Sequence, residues 1–163
     1  MAAVIVDRAD LDAIRGALED LRFGKSSSVH WRLESGRRRL VIARALCDLP
    51  LRCVVTVCLH GKEVRYERAR RACLGRLLTE LEGRAVGEVM VESRTVEDPH
   101  DRGFLTGLRR SGQVSRELAV CWRSPETDPL LWAADIVVGA TTSWLDGEAA
   151  CFEMPADKIE LID

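Results

Sequence analysis

Two acidic residues stand where an acid is unusual, and both could take part in metal chemistry. Asp135 lies inside the apolar run 130–139, where an ionised carboxylate is costly to bury unless it is paired, hydrogen-bonded or bound to a metal. Glu92 stands near the carboxyl end of the predicted strand 85–93. Carboxylates from a strand end and a helix are typical ligands of Mg²⁺ or Mn²⁺, which activates water for phosphodiester hydrolysis.

Each acid also has a structural interpretation. Asp135 fits a buried, hydrogen-bonded acid that anchors its helix, and Glu92 fits an exposed strand-end acid paired with Arg94. His30, in a Val-His-Trp segment, is a candidate ligand, base or phosphate contact, and its alternative is a half-buried histidine at a strand end. His60 and His100 are weaker candidates for the same roles.

Asp98 and Asp101 are further acids beside the predicted strand 85–93, and Asp101 is a candidate to assist Glu92 and Asp135. Both acids flank Pro99, an arrangement typical of a helix cap and an acidic first turn. The two interpretations remain open at this point.

Arginines supply the candidate contacts to a substrate backbone. The net charge of -2 gives no overall signature of nucleic-acid binding, but arginines cluster at 37–39, at 109–110 and along 65–76. Arg65, Arg68 and Arg71 share one face of the predicted helix 63–82, and a guanidinium suits bidentate contacts to phosphate. The alternative is an ordinary solvated helix face.

The chain as a whole indicates one soluble domain over residues 1–163. With 163 residues, of which 47% are hydrophobic, it can bury one good core. Nothing resembles a signal peptide or a membrane span, and we expect no membrane association. Six cysteines without a CxxC pair indicate reduced core thiols, which favours a cytoplasmic location.

The elements that must position these residues alternate between strands and helices. Residues 51–59, 85–93 and 118–122 are predicted strands, each followed by a helix, and this order favours parallel strands joined by crossovers. The remaining segments are predicted as strands at 2–6 and 149–153, an extended piece at 29–33, and helices at 11–21 and 34–49. Asp128-Pro129 is predicted to begin a helix that runs to residue 144.

Four segments resemble one family of bacterial and phage proteins: 29–32, 66–74, 91–94 and 128–135. The family is known as domain of unknown function 3800 and is regarded as ribonuclease H-like. The resemblance implies an α/β fold with three layers, in which helices flank a mixed, partly parallel sheet. It also implies that Glu92 and Asp135 match acidic positions of a presumed metal site, with His30 a recurrent feature.

One motif of that family is absent from this sequence. Members usually begin with a strand that ends in Asp-Glu-Ser-Gly, whose first acid should be a central metal ligand. Asp7 follows an apolar strand here, but its neighbours Arg8 and Ala9 do not match. Either the chain starts downstream of the family's first strand or hairpin, or this member has lost the ligand.

Three functions follow for testing. The first is a Mg²⁺- or Mn²⁺-dependent nuclease or phosphodiesterase, in which Glu92 and Asp135 hold the ion, His30 or Asp101 assists, and Arg65, Arg68 and Arg71 guide the backbone. The second is a catalytically inactive module of the same fold that binds nucleic acid or protein. The third, an enzyme acting on a small phosphorylated molecule, has no glycine-rich phosphate loop in its support.

Overall fold

The computed structural model describes residues 1–24, 26–59, 61 and 63–162, so the candidate His60 lies outside the described residues. The chain divides into two compact units. We call residue 1 with residues 56–124 and 161–163 the parallel unit, and residues 2–55 with 125–160 the antiparallel unit.

The described residues form a mixed α/β structure. The helices are α1 (Leu11–Glu19), α2 (Gly36–Asp48), α3 (Tyr66–Gly83), α4 (Asp98–Arg110), α5 (Leu130–Leu145) and α6 (Ala150–Glu153). The strands are β1 (Ala2–Val6), β2 (Leu51–Thr56), β3 (Glu88–Glu92), β4 (Ala119–Arg123) and β5 (Ile159–Ile162). Short 3₁₀ turns lie at Arg8–Asp10, Trp31–Leu33 and Ala156–Lys158.

The strands belong to two sheets. One has the order β1-β2-β5, and in it β1 runs antiparallel to β2, with Ala2 opposite Val55 and Val6 opposite Leu51. The other pairs β3 with β4 in parallel, from Glu88 opposite Ala119 to Glu92 opposite Arg123. A parallel pair needs a crossover, and α4 supplies it here.

The core of the antiparallel unit forms around β2 and α5. Every residue of β2 except Arg52 is buried, as its Leu-Arg-Cys-Val-Val-Thr sequence predicts for a strand covered on both faces. Helix α5 is apolar on nearly all sides and buries seven of its residues. Trp144 at its end stacks on Phe152 of α6, with ring centroids 4.6 Å apart.

The core of the parallel unit lies between α3 and α4. Leu74 and Leu78 of α3 are buried with Leu105 and Leu108 of α4. The two helices approach closely at Gly75, where an added Cβ would lie 3.3 Å from Cζ of Phe104. The ring of Phe104 can therefore pack close to the backbone of α3, because Gly75 has no side chain.

Most predicted elements are confirmed, including the opening strand and the strand–helix alternation after residue 51. The parallel arrangement expected for the strands after residue 51 holds for β3 and β4, but β2 pairs antiparallel with β1 in the other sheet. Three further assignments were wrong. Residues 149–153 lie largely in α6 rather than in a strand, β5 was missed, and an extended piece at 29–33 contains a 3₁₀ turn. These segments are too short for hydrophobic period to separate helix from strand, so contacts with distant residues decide them.

Among the residues described above, no helix combines the length and the apolar character that a membrane crossing requires.

Candidate nucleic-acid interface

An ionic network in the parallel unit joins α3, α4 and the segment after β3. Both carboxylate oxygens of Glu67 accept hydrogen bonds from Arg94, at 2.8 and 3.0 Å, and Oε2 accepts another from Nε of Arg70 at 3.2 Å. Arg70 also donates to Oδ1 of Asp101, a residue only 1% exposed. Two acids and two arginines thus neutralise one another.

The ionic network changes the pKa of Glu67, the acid at its centre. Hydrogen bonds from Arg94, reinforced by Arg70, lower the pKa of Glu67 to about 2, against a smaller opposing effect of desolvation. Arg94 in turn has its pKa raised, chiefly by its hydrogen bond to Glu67. Glu67 therefore stays ionised, and its charge is compensated at neutral pH.

Asp98 and Asp101, the acids that flank Pro99, lie at the start of α4. Both Asp98 and Asp101 lie in the first turn, as predicted, although α4 begins at Asp98 and this residue is not the cap. Asp98 accepts from the Ser93 hydroxyl at 2.6 Å and from the Arg94 amide at 2.9 Å. The Ser93 hydrogen bond is the main reason that the pKa of Asp98 is lowered.

A partly open cleft of about 590 Å³ lies beside this network. Its lining consists of Arg65, Glu67, Arg68, Arg71, Ala72 and Phe104. The three arginines predicted to contact a nucleic-acid backbone are therefore together at one cleft, which we call the arginine cleft. Its volume is in the range of about 300–1,000 Å³ that is usual for ligand sites.

The arginines of the cleft differ from their neighbours in their pairing. Within the described part of the chain, no carboxylate forms an ion pair with Arg65, Arg68 or Arg71. The buried Nε of Arg71 has no hydrogen-bond partner among the same residues. Arg70, one position away, is held by Glu67 and Asp101.

Three arginines of the other predicted clusters make hydrogen bonds within the fold. Arg38 donates to the Leu21 carbonyl, and Arg39 donates to the Trp31 carbonyl at 3.0 Å. Arg109 donates to the carbonyl of Leu118 at 2.8 Å. These contacts occupy part of each of the three guanidinium groups, which distinguishes Arg38, Arg39 and Arg109 from the arginines of the arginine cleft.

Asp135 is held by the turn that contains Trp31. Its Oδ2 accepts the Trp31 backbone N–H at 2.9 Å, and a Cβ on Gly139, one helical turn further on, would overlap the Trp31 indole. Arg39 lies over the same ring, 5.2 Å from its centroid. This arrangement is the one expected of an acid that anchors its helix. His30, partly buried, directly precedes Trp31.

Glu92 is the last residue of β3 and is exposed, opposite Arg123 of β4. It belongs to the parallel unit, whereas Asp135 belongs to the antiparallel unit. Over residues 1–24, 26–59, 61 and 63–162, no three His, Cys, Asp or Glu side chains form a group suited to one metal ion. Asp101, the acid predicted to assist them, is paired with Arg70.

Sequence reasoning missed three residues of this region. Glu67 and Arg70 are three positions apart on α3, which is a recognisable spacing for an ion pair, but the partners Arg94 and Asp101 come from other segments. Phe104 gave no signal, because a single aromatic on a helix is ordinarily part of a core.

The six cysteines are free, with Cys53 buried and Cys58 exposed.

Comparison of the chain with family models, with curated proteins and with solved structures finds no match.

Proposed function

We propose that this protein binds the phosphate backbone of nucleic acid through the arginine cleft, without catalysing its cleavage. The proposal rests on the difference between the arginines of α3 that are paired with acids and those that are not. Arg70 forms ion pairs with Glu67 and Asp101. In contrast, no acid among the described residues pairs with the arginines that line the cleft, Arg65, Arg68 and Arg71. Guanidinium groups that are not paired with an acid are suited to phosphate oxygens.

The ionic network supports this function by holding the cleft in shape. Arg94 and Arg70 neutralise Glu67, so a carboxylate in the cleft lining does not repel an approaching phosphate. The arginines from Arg65 to Arg71 extend along about 9 Å of helix axis, so their side chains can reach different phosphates of one strand.

The test is the salt dependence of binding to labelled single-stranded and duplex DNA and RNA. Arg65, Arg68 and Arg71 changed together to Ala should weaken binding and reduce the slope of log K against log salt by up to about 2 for a single strand. A matched control changes the exposed residues Arg22, Arg37 and Arg44 to Ala, with the same loss of charge. Equal binding by the two folded variants would contradict the proposal.

The nuclease remains a second candidate, on the family resemblance and on Glu92 at the carboxyl end of a parallel strand. On this hypothesis residues 1–163 form a three-layer ribonuclease H-like domain. The antiparallel β1–β2 pair and the parallel β3–β4 pair agree with a mixed strand arrangement, although they belong to two sheets. Cleavage of labelled RNA or DNA that requires Mn²⁺ or Mg²⁺ and is lost in Glu92→Gln would favour it over the binding module.

A further inference from the structure

The arginine cleft has an apolar surface that phosphate binding does not need. Ala72 and the ring of Phe104 line it beside the three arginines. Phe104 is half-buried and reaches the cleft from α4, while the cationic side chains come from α3. Phe104 also packs against the core of the parallel unit, and the part of it that lines the cleft adds an apolar surface beside the three arginines.

The position of Phe104 is set by the helix packing. Its Cζ would lie 3.3 Å from a Cβ on Gly75, so the ring rests close to the α3 backbone where a side chain would displace it. The flanking residues of α4, Leu105 and Leu108, are buried against Leu74 and Leu78. The ring is therefore placed before any ligand arrives, which reduces the entropy lost on binding.

We propose that the arginine cleft takes an unpaired base of single-stranded nucleic acid, stacked on Phe104, while Arg68 and Arg71 hold the flanking phosphates. Every base has an apolar face that can stack on an aromatic ring, whereas the bases of a duplex are already stacked on one another. The cleft should therefore prefer a single strand to a duplex. This inference rests on the proposed function and adds the class of substrate.

A polymer suits the cleft better than a free nucleotide does. Arg65 lies six positions before Arg71, and a single nucleotide that stacked on Phe104 would leave part of this arginine row without a phosphate. An acidic peptide would supply negative charge, but it would not use the planar contacts that guanidinium groups make with phosphate as well.

The experiment measures fluorescence anisotropy with labelled dodecathymidylate, dodecauridylate and a matched duplex, and uses thymidine monophosphate as a competitor. Phe104→Leu keeps an apolar contact with Gly75 but removes the ring. We expect it to weaken single-strand binding roughly 5- to 100-fold and to leave duplex binding nearly unchanged. Phe23→Leu, which removes an aromatic side chain of the antiparallel unit that is 76% exposed, is the control and should change neither affinity.

A second variant guards against a folding defect in Phe104→Leu. Ala72 is exposed, so Ala72→Leu should fold normally while filling the cleft, and it should also abolish the preference for a single strand. Unchanged single-strand binding in both variants, with binding still lost when Arg65, Arg68 and Arg71 become Ala, would overturn base stacking and leave the proposed function intact.

The remaining outcomes separate the two proposals. Wild-type protein that binds none of the oligonucleotides at low salt would overturn the proposed function together with this inference. Thymidine monophosphate that competes at the same concentration as the oligonucleotide would overturn the choice of a polymer and assign the cleft to free nucleotides.

Discussion

Asp135 is compatible with two interpretations of the sequence, as a metal ligand and as a hydrogen-bonded acid that anchors its helix. An acid in an apolar helix needs either a cation or a hydrogen-bond donor, and the Trp31 backbone N–H is such a donor, 2.9 Å from Oδ2. The backbone of Trp31 cannot be replaced by mutation, so the hydrogen bond has to be tested from the side of the acid.

Asp135→Asn should fold and lose roughly 1 kcal/mol of unfolding free energy, because its Oδ1 can accept the same hydrogen bond without the charge that strengthens it. Asp135→Ala, which leaves the buried amide without this acceptor, should lose about 1–3 kcal/mol. Urea unfolding followed by circular dichroism measures both. Asp146→Asn, an exposed change just after α5, is the control and should stay within about 0.5 kcal/mol of wild type.

A fully stable Asp135→Asn protein that had lost a divalent-metal-dependent cleavage activity would point the other way. It would show that the charge of this carboxylate, rather than its hydrogen bond, is what the protein uses.

At the scale of elements, α5 holds the Trp31–Leu33 turn through two positions one helical turn apart. Asp135 accepts the backbone N–H of Trp31, and Gly139 makes room for its indole. The ring is 3% exposed and belongs to the core of the antiparallel unit. A glycine in the middle of a helix costs stability by itself, so its presence here has a packing reason.

Gly139→Ala should destabilise the protein by roughly 1–2 kcal/mol, since displacing Trp31 costs about 2–3 kcal/mol and the gain in helix propensity offsets only about 1 kcal/mol of it. Gly16→Ala is the matched control, because Gly16 lies on the exposed face of α1 with open space around its Cβ position. That variant should gain about 0.4–1 kcal/mol. Thermal unfolding of the pair, measured side by side, checks the difference in sign.

A stabilised Gly139→Ala protein would mean that the turn is free to move away from α5. The close contact between Trp31 and the helix would then play no part in stability.

At the scale of the whole molecule, the ionic network links stability to pH. Glu67 has a pKa of about 2 in the folded state, below the value of about 4.3 for an unfolded chain. A depressed acid stabilises the fold above the unfolded pKa, and the contribution is lost as the pH falls from about 5 towards 2. The pKa of Asp98 is lowered too, so it acts in the same direction.

The difference in unfolding free energy between wild type and Glu67→Gln should therefore be largest at neutral pH and shrink on acidification. Glu67 is 34% exposed, so solvent screening limits the expected difference at pH 7 to roughly 0.5–1 kcal/mol. Urea unfolding at a series of pH values between neutral and about 3 tests this, with a change of the exposed Glu153 of α6 to Gln as the control. A difference that did not change with pH would assign the effect to packing rather than to charge.

Much of the local structure could be predicted from the residues. The six-residue β2 is predicted by its mostly apolar, β-branched sequence, and the long α3 by apolar residues at helical spacing. Pro99 marks the start of α4. The segment at 149–153 could not be assigned, since four helical residues carry no period and the Trp144–Phe152 stack that accompanies α6 is a tertiary contact.

The sequence by itself determined most of the longer strands and helices and that Arg65, Arg68 and Arg71 share a helix face, because hydrophobic period and spacing are properties of neighbouring residues. Only the tertiary structure decided which arginines form ion pairs with acids of other segments. Arg70 finds Asp101 and Glu67 finds Arg94 across 31 and 27 positions of the chain, and Phe104 reaches the cleft from another helix. Ion pairing and cleft formation depend on distances in space, and a linear sequence does not contain those distances.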